Sequence, residues 1–141
     1  MSGAAAHAPA PVALVAFTGR TDLWWLRVLK PGFRHCFLVL PDRGQWLVYD
    51  PMAHATALQG LPLAPGADVM DALLDAGFVV VPARVRRAPR RAAPAAPFTC
   101  VEAIKRALGI HARRVVTPWD LFRYLTASKN KKKVLDFGSE A

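Results

Sequence analysis

The chain has 141 residues and 53% apolar composition, enough for one domain with a real core and too apolar for a disordered chain. Nineteen Lys and Arg against ten Asp and Glu leave a net charge of +9, so an anionic partner has to be considered. No apolar run approaches the roughly 18 residues that cross a bilayer, and residues 1–11 lack the basic start and apolar core of a signal peptide.

Those observations place the chain in the cytoplasm as an expectation, with a flexible N-terminus over 1–11, one domain over 12–127 and a basic tail over 128–141. Two cysteines, Cys36 and Cys100, are too few for a disulfide scaffold and form no C-x-x-C pair. In a reducing compartment both are free thiols.

In chain order, Val12 to Phe17 is an apolar run that reads as a buried first strand. Thr21 or Asp22 can cap a short helix over Leu23–Leu29, stopped by Lys30-Pro31-Gly32. Phe33–Leu40 and Trp46–Asp50 form a hairpin about the turn Pro41-Asp42-Arg43-Gly44. Pairing Leu40 with Gln45 sets His35 opposite Asp50, on the face shared by Phe37 and Val48, with Cys36 pointing to the other. A slip of one residue would break that juxtaposition.

Met52 to Gly66 reads as a loop, from its glycines and prolines. Asp68 caps a helix over Val69–Ala76, closed by Gly77, and Phe78–Val85 is a strand in which Pro82 marks an edge or a bulge. Arg86 to Pro97 reads as an exposed connection. Arg113–Val116 adds a short strand. Thr117-Pro118-Trp119-Asp120 starts a helix whose buried side is Leu121, Phe122, Tyr124 and Leu125, and Val134–Phe137 is a final strand or a frayed end.

The stretch that carries chemistry is Phe98-Thr99-Cys100-Val101-Glu102. Thr99 followed three residues later by Glu102 is a capping box, which makes Cys100 the first residue of a helix running to Gly109. There the unpaired N–H groups and the positive end of the helix dipole favour thiolate over thiol. A cysteine nucleophile also needs a base and a group that orients the base. The hairpin offers His35 and Asp50 for those roles, and the Cys100 N–H is one oxyanion donor. Cys36 reads as core. His35, Cys36, His54, Cys100 and His111 lack the paired spacing of a structural zinc site, so no metal or cofactor is expected.

A histidine beginning one strand (Arg34-His35-Cys36-Phe37), an acid ending the next (Val48-Tyr49-Asp50-Pro51) and a later cysteine opening a helix resemble a circularly permuted papain-like arrangement. That order is the one in the permuted branch of the NlpC/P60 superfamily, which includes lecithin:retinol acyltransferase-like proteins. The resemblance spans roughly residues 12–125. It implies an α+β papain-like fold, a small antiparallel sheet packed with helices, with Cys100 as nucleophile, His35 as base and Asp50 as third residue. Such proteins hydrolyse amide bonds, often in cell-wall peptides, or move acyl groups between lipids. The chain has Phe-Thr-Cys-Val-Glu where the acyltransferases have Asn-Cys-Glu-His-Phe, and it lacks their apolar anchor, which points away from lipid acyl transfer. Small proteins of this permuted type resemble ones carried by bacterial and phage genomes, so virion association is compatible with it.

The expectation is therefore a cysteine peptidase or amidase acting on a peptide or acyl substrate. Its rival is a non-catalytic basic module or a phage-type assembly component. The rival would bind an anionic partner through Arg84–Arg91 and Lys129–Lys133, stretches that otherwise read as solvated charge runs.

Overall fold

The computed structural model describes residues 12–20, 30–52, 55–61, 63, 68–86 and 99–136, with 128–136 as backbone. Five strands, β1 (Val12–Thr18), β2 (His35–Asp42), β3 (Gln45–Pro51), β4 (Thr56–Gly60) and β5 (Val79–Arg84), form one sheet in the order β4-β3-β2-β1-β5. Every pairing is antiparallel. Three helices pack against it: α1 (Val69–Asp75), α2 (Cys100–Leu108) and α3 (Pro118–Asp136). The helix expected over Leu23–Leu29 and the connection over 87–97 lie outside the described residues.

β1 is apolar without interruption because both its faces are covered. Ala13, Val15 and Phe17 join Cys36, Leu38, Val81 and Ala83 against Val101, Ile104 and Leu108 of α2 and Leu121 and Leu125 of α3. Leu14 and Ala16 join Phe37, Val39 and Val48 against Val69 and Leu73 of α1. The sheet is thus the middle of three layers. Pro82 lies in β5, which is an edge strand, as a residue without an N–H requires.

Several expectations are corrected. The supposed loop after Met52 contains β4, whose register with β3 runs from Leu47–Gly60 to Pro51–Thr56. Four of its five residues are exposed, so no buried face announces it. Arg113–Val116 is no strand, and Val134–Asp136 is the end of α3, which runs as helix to Asp136, inside the stretch expected as basic tail. Tyr124 is exposed rather than part of the buried side of α3.

The hairpin register also differs. β2 and β3 turn through Arg43 and Gly44 alone, with φ of 48° and 79° at the two residues. Two successive positive values suit the right-handed twist of a tight hairpin, and they extend the ladder to Asp42–Gln45. The whole register moves by two residues. Pro41 is tolerated inside β2 because pairing with β1 has already ended at Leu14–Val39.

Entry into β2 is fixed by close backbone contact. The Arg34 N–H donates to the Thr18 carbonyl at 2.9 Å, and a Cβ built on Gly19 would meet the Gly32 nitrogen at 2.9 Å. Phe33 anchors the same segment among Phe17 (5.6 Å between ring centres), Trp119 (4.8 Å) and Phe122 (4.9 Å), and Lys30 lies 3.6 Å over Trp119. Gly19→Ala should therefore force the β2 entry outward and lower stability by about 1–3 kcal/mol in urea denaturation. A substitution costing only a few tenths would show that the two backbones can part freely.

Candidate active site

Thr99 caps α2: its Oγ1 accepts from the Glu102 N–H at 3.2 Å, and its backbone is extended. Cys100 is the first helical residue, as the spacing of the cap predicts. The reciprocal half of the capping box is absent. Instead of returning to Thr99, the Glu102 carboxylate is buried and accepts from Lys105 Nζ at 2.9 Å and Arg106 Nε at 3.2 Å. These two cations hold its pKa below the ordinary range although burial works the other way. The complete capping box is at α3, where Thr117 Oγ1 accepts from the Asp120 N–H at 3.1 Å and Asp120 Oδ2 accepts from the Thr117 N–H at 3.0 Å.

His35 and Asp50 meet. The imidazole Nε2 lies 2.6 Å from Asp50 Oδ1, with both side chains partly buried. The contact survives the register shift because the shift is two residues, not one. A slip of two keeps each side chain on its face and makes His35 and Asp50 diagonal rather than direct neighbours. With Nε2 committed to Asp50, Nδ1 is the ring nitrogen left for a thiol.

His35 and Cys36 both act electrostatically on the Cys100 thiol. Its pKa is lowered to about 5, first by the Cys36 thiol, against an opposing effect of burial, then by His35 and by the Cys36 backbone N–H. His35 moves the other way. Burial would lower it, but hydrogen bonds to Cys100 and Asp50 and the attraction of both raise it to about 8. Between those values the pair is a thiolate facing an imidazolium, the state in which sulfur is nucleophilic and a proton is ready for a leaving group.

Cys36 is fully buried, in agreement with the core reading, and burial pushes its thiol well above the ordinary range. Alternation along β2 turns Cys36 away from Phe37, into the layer that α2 covers. The β2–β3 ladder ends at Leu38–Tyr49, so His35 lies beyond it, at the first residue of β2.

His54 and His7 lie outside the described residues. The last carbonyls of α2 accept from the Gly109 and Ile110 N–H groups, and the buried Nδ1 of His111 has no hydrogen-bond partner among the described residues. No group of three or more metal-ligating side chains occurs among the described residues. Of the two basic stretches, the side chains of Arg84 and Arg86 alone lie within them. No described helix is long and apolar enough to cross a membrane.

The chain matches no family model, no curated protein and no solved structure.

Proposed function

We propose that the protein is a thiol-dependent hydrolase of amide or peptide bonds, built as a circularly permuted papain-like domain of the NlpC/P60 type. The observation that carries this reading is the 2.6 Å hydrogen bond between His35 and Asp50, with His35 acting electrostatically on a cysteine at the first position of a capped helix. Three separate elements supply the groups: β3 the acid, β2 the imidazole and α2 the thiol.

In this reading the Cys100 thiolate attacks the carbonyl carbon of the amide, and negative charge moves to the carbonyl oxygen. The Cys100 N–H, unpaired within the first turn of α2, is placed to donate to that oxygen. Collapse of the tetrahedral species breaks the C–N bond, and the His35 imidazolium gives its proton to the departing amine. A thioester remains on Cys100. Neutral His35 then takes a proton from water, whose oxygen attacks the thioester and releases the acid. Asp50 holds the ring and stabilises the imidazolium that recurs in the cycle. A cell-wall peptide is the substrate class that the resemblance favours.

The test is cleavage of cell-wall peptides by the purified protein, followed by mass spectrometry of the amine and acid products. Cleavage is expected with the wild type and none above background with Cys100→Ala, whose unfolding midpoint should stay close to that of the parent. Retained turnover in Cys100→Ala excludes the sulfur as nucleophile. A large loss of stability instead marks Cys100 as a packing residue.

A further inference from the structure

We propose that the end of the molecule opposite the candidate site is an arginine surface that binds the phosphate backbone of double-stranded nucleic acid. β1 sets the separation. Its Thr18 pairs with His35, and Val12, at the other end of the strand, pairs with Arg84. At about 3.3 Å per residue the two ends lie about 20 Å apart. α2 runs the same way, with Cys100 at its start and Leu108 at the far end.

Two basic segments distant in sequence meet there. The Arg86 N–H donates to the Leu108 carbonyl at 3.1 Å, and Val85 and Ala112 pack against the core cluster that holds Leu108 and Ile110. Those contacts join Arg84 and Arg86, which flank Val85, to Arg113 and Arg114, which follow Ala112. All four arginines are exposed, and none has an ion-pair partner among the described residues. Arg106 is exposed as well, but its Nε is held by Glu102 at 3.2 Å. The β2–β3 turn at this end carries Asp42 beside Arg43, which offset each other.

The fold itself does not call for the four. A cation favours a helix C-terminus, yet Lys105 and Arg106 already occupy the last turn of α2. Like charges gathered from two segments repel and weaken the compact state unless an anion neutralises them. The chemistry of the surface selects that anion. Guanidinium forks match phosphate oxygens two at a time. The four groups are spread over the exit of β5 and the segment after α2, which suits a row of phosphates better than one small anion. Single strands are held by stacking bases on aromatic rings. The exposed large aromatic among the described residues, Tyr124, belongs to α3 and not to these segments. A duplex displays its phosphates in a regular outward array and needs no such platform. Contacts of this kind position a duplex without reading its sequence.

The test is fluorescence anisotropy with a labelled DNA duplex of about 20 base pairs and mixed sequence, over salt from about 20 to 200 mM. The wild type should bind, with log affinity falling linearly in log salt. Replacing the four together, Arg84→Gln, Arg86→Gln, Arg113→Gln and Arg114→Gln, should flatten that slope by about 3 to 4, since each phosphate contact contributes about 0.9. If that variant unfolds, the pairs Arg84→Gln with Arg86→Gln and Arg113→Gln with Arg114→Gln replace it, each flattening the slope by about 2. Lys129→Gln, Lys131→Gln, Lys132→Gln and Lys133→Gln remove the same charge from the other basic stretch and should flatten it by less than one contact. Equal losses in the two fourfold variants would reduce the effect to net charge and overturn the proposal. Absence of duplex binding at the lowest salt overturns it too. So does equal or tighter binding of the matching single strand, or of phosphatidylglycerol vesicles. Each of these outcomes leaves the hydrolase reading where it stands.

Discussion

His35→Ala should lower amide turnover by about 10²–10⁴-fold, the usual contribution of a positioned acid–base group, while leaving Cys100 partly alkylatable at neutral pH. The two effects separate because the imidazole has two jobs. As proton carrier it has no substitute among the groups that touch the sulfur. As a stabiliser of the thiolate it shares the task with the start of α2. The pH profile of the wild type fixes the sign. Cys100 has a pKa lowered to about 5, so the thiolate fills as pH rises through that value and activity climbs with it. His35 has a pKa raised to about 8, so the imidazolium that protonates the leaving amine empties as pH passes that value, and activity falls. kcat/KM should therefore be bell-shaped between those limbs, which belong to the pair rather than to either residue. In His35→Ala the alkaline limb should disappear and the acid limb should move up. Turnover of His35→Ala within tenfold of the parent, or an unchanged alkaline limb, would remove the imidazole from the mechanism.

What was legible in the sequence follows a physical division. Local signals survived: Thr99 before Cys100, Asp68 before Val69 and the Thr117–Asp120 pair all cap the helices their spacing predicts. The His35–Asp50 contact was legible because strand parity, not exact register, decides which side chains share a face. The turn at Arg43-Gly44 moved the register by two and left parity intact. β4 was not legible, since a strand held by backbone pairing along β3 with its side chains largely exposed has no hydrophobic alternation to display. The place of Cys36 was hidden for another reason: it depends on which helix covers which face of the sheet, and no window of neighbouring residues contains that. Glu102 shows the same limit. Three positions after Thr99 it fits a capping box, yet tertiary packing gives it cationic partners in a buried site instead.

That buried carboxylate carries the largest expected stability effect. Glu102 and Lys105 are 5% and 4% exposed, and Lys105 Nζ also donates to the Val115 carbonyl at 3.0 Å. The pair thus ties the middle of α2 to the segment that leads into α3. Glu102→Ala strands the Lys105 ammonium without its counter-charge in a site closed to water. Breaking a buried pair from one side costs more than the pair contributes, because the remaining ion has lost both water and partner. Arg106 is the second partner of Glu102 and its side chain is 48% exposed, so it can return to solvent and adds little to the loss. Glu102→Ala should therefore lower unfolding free energy by about 3 kcal/mol, the lower end for such pairs, measured by urea denaturation at neutral pH. Glu102→Gln, which keeps an acceptor for Lys105, should cost less. Removing both charges with Glu102→Leu and Lys105→Met should recover much of the loss, since apolar replacements of similar volume fill the same space without stranding an ion. A Glu102→Ala cost below about 1 kcal/mol, typical of exposed ion pairs, would mean that water reaches Lys105. Because the start of α2 also carries Cys100, the more stable double variant should keep the alkylation rate of the parent. That result would separate the ion pair, which secures the helix, from the thiol contacts, which secure the chemistry.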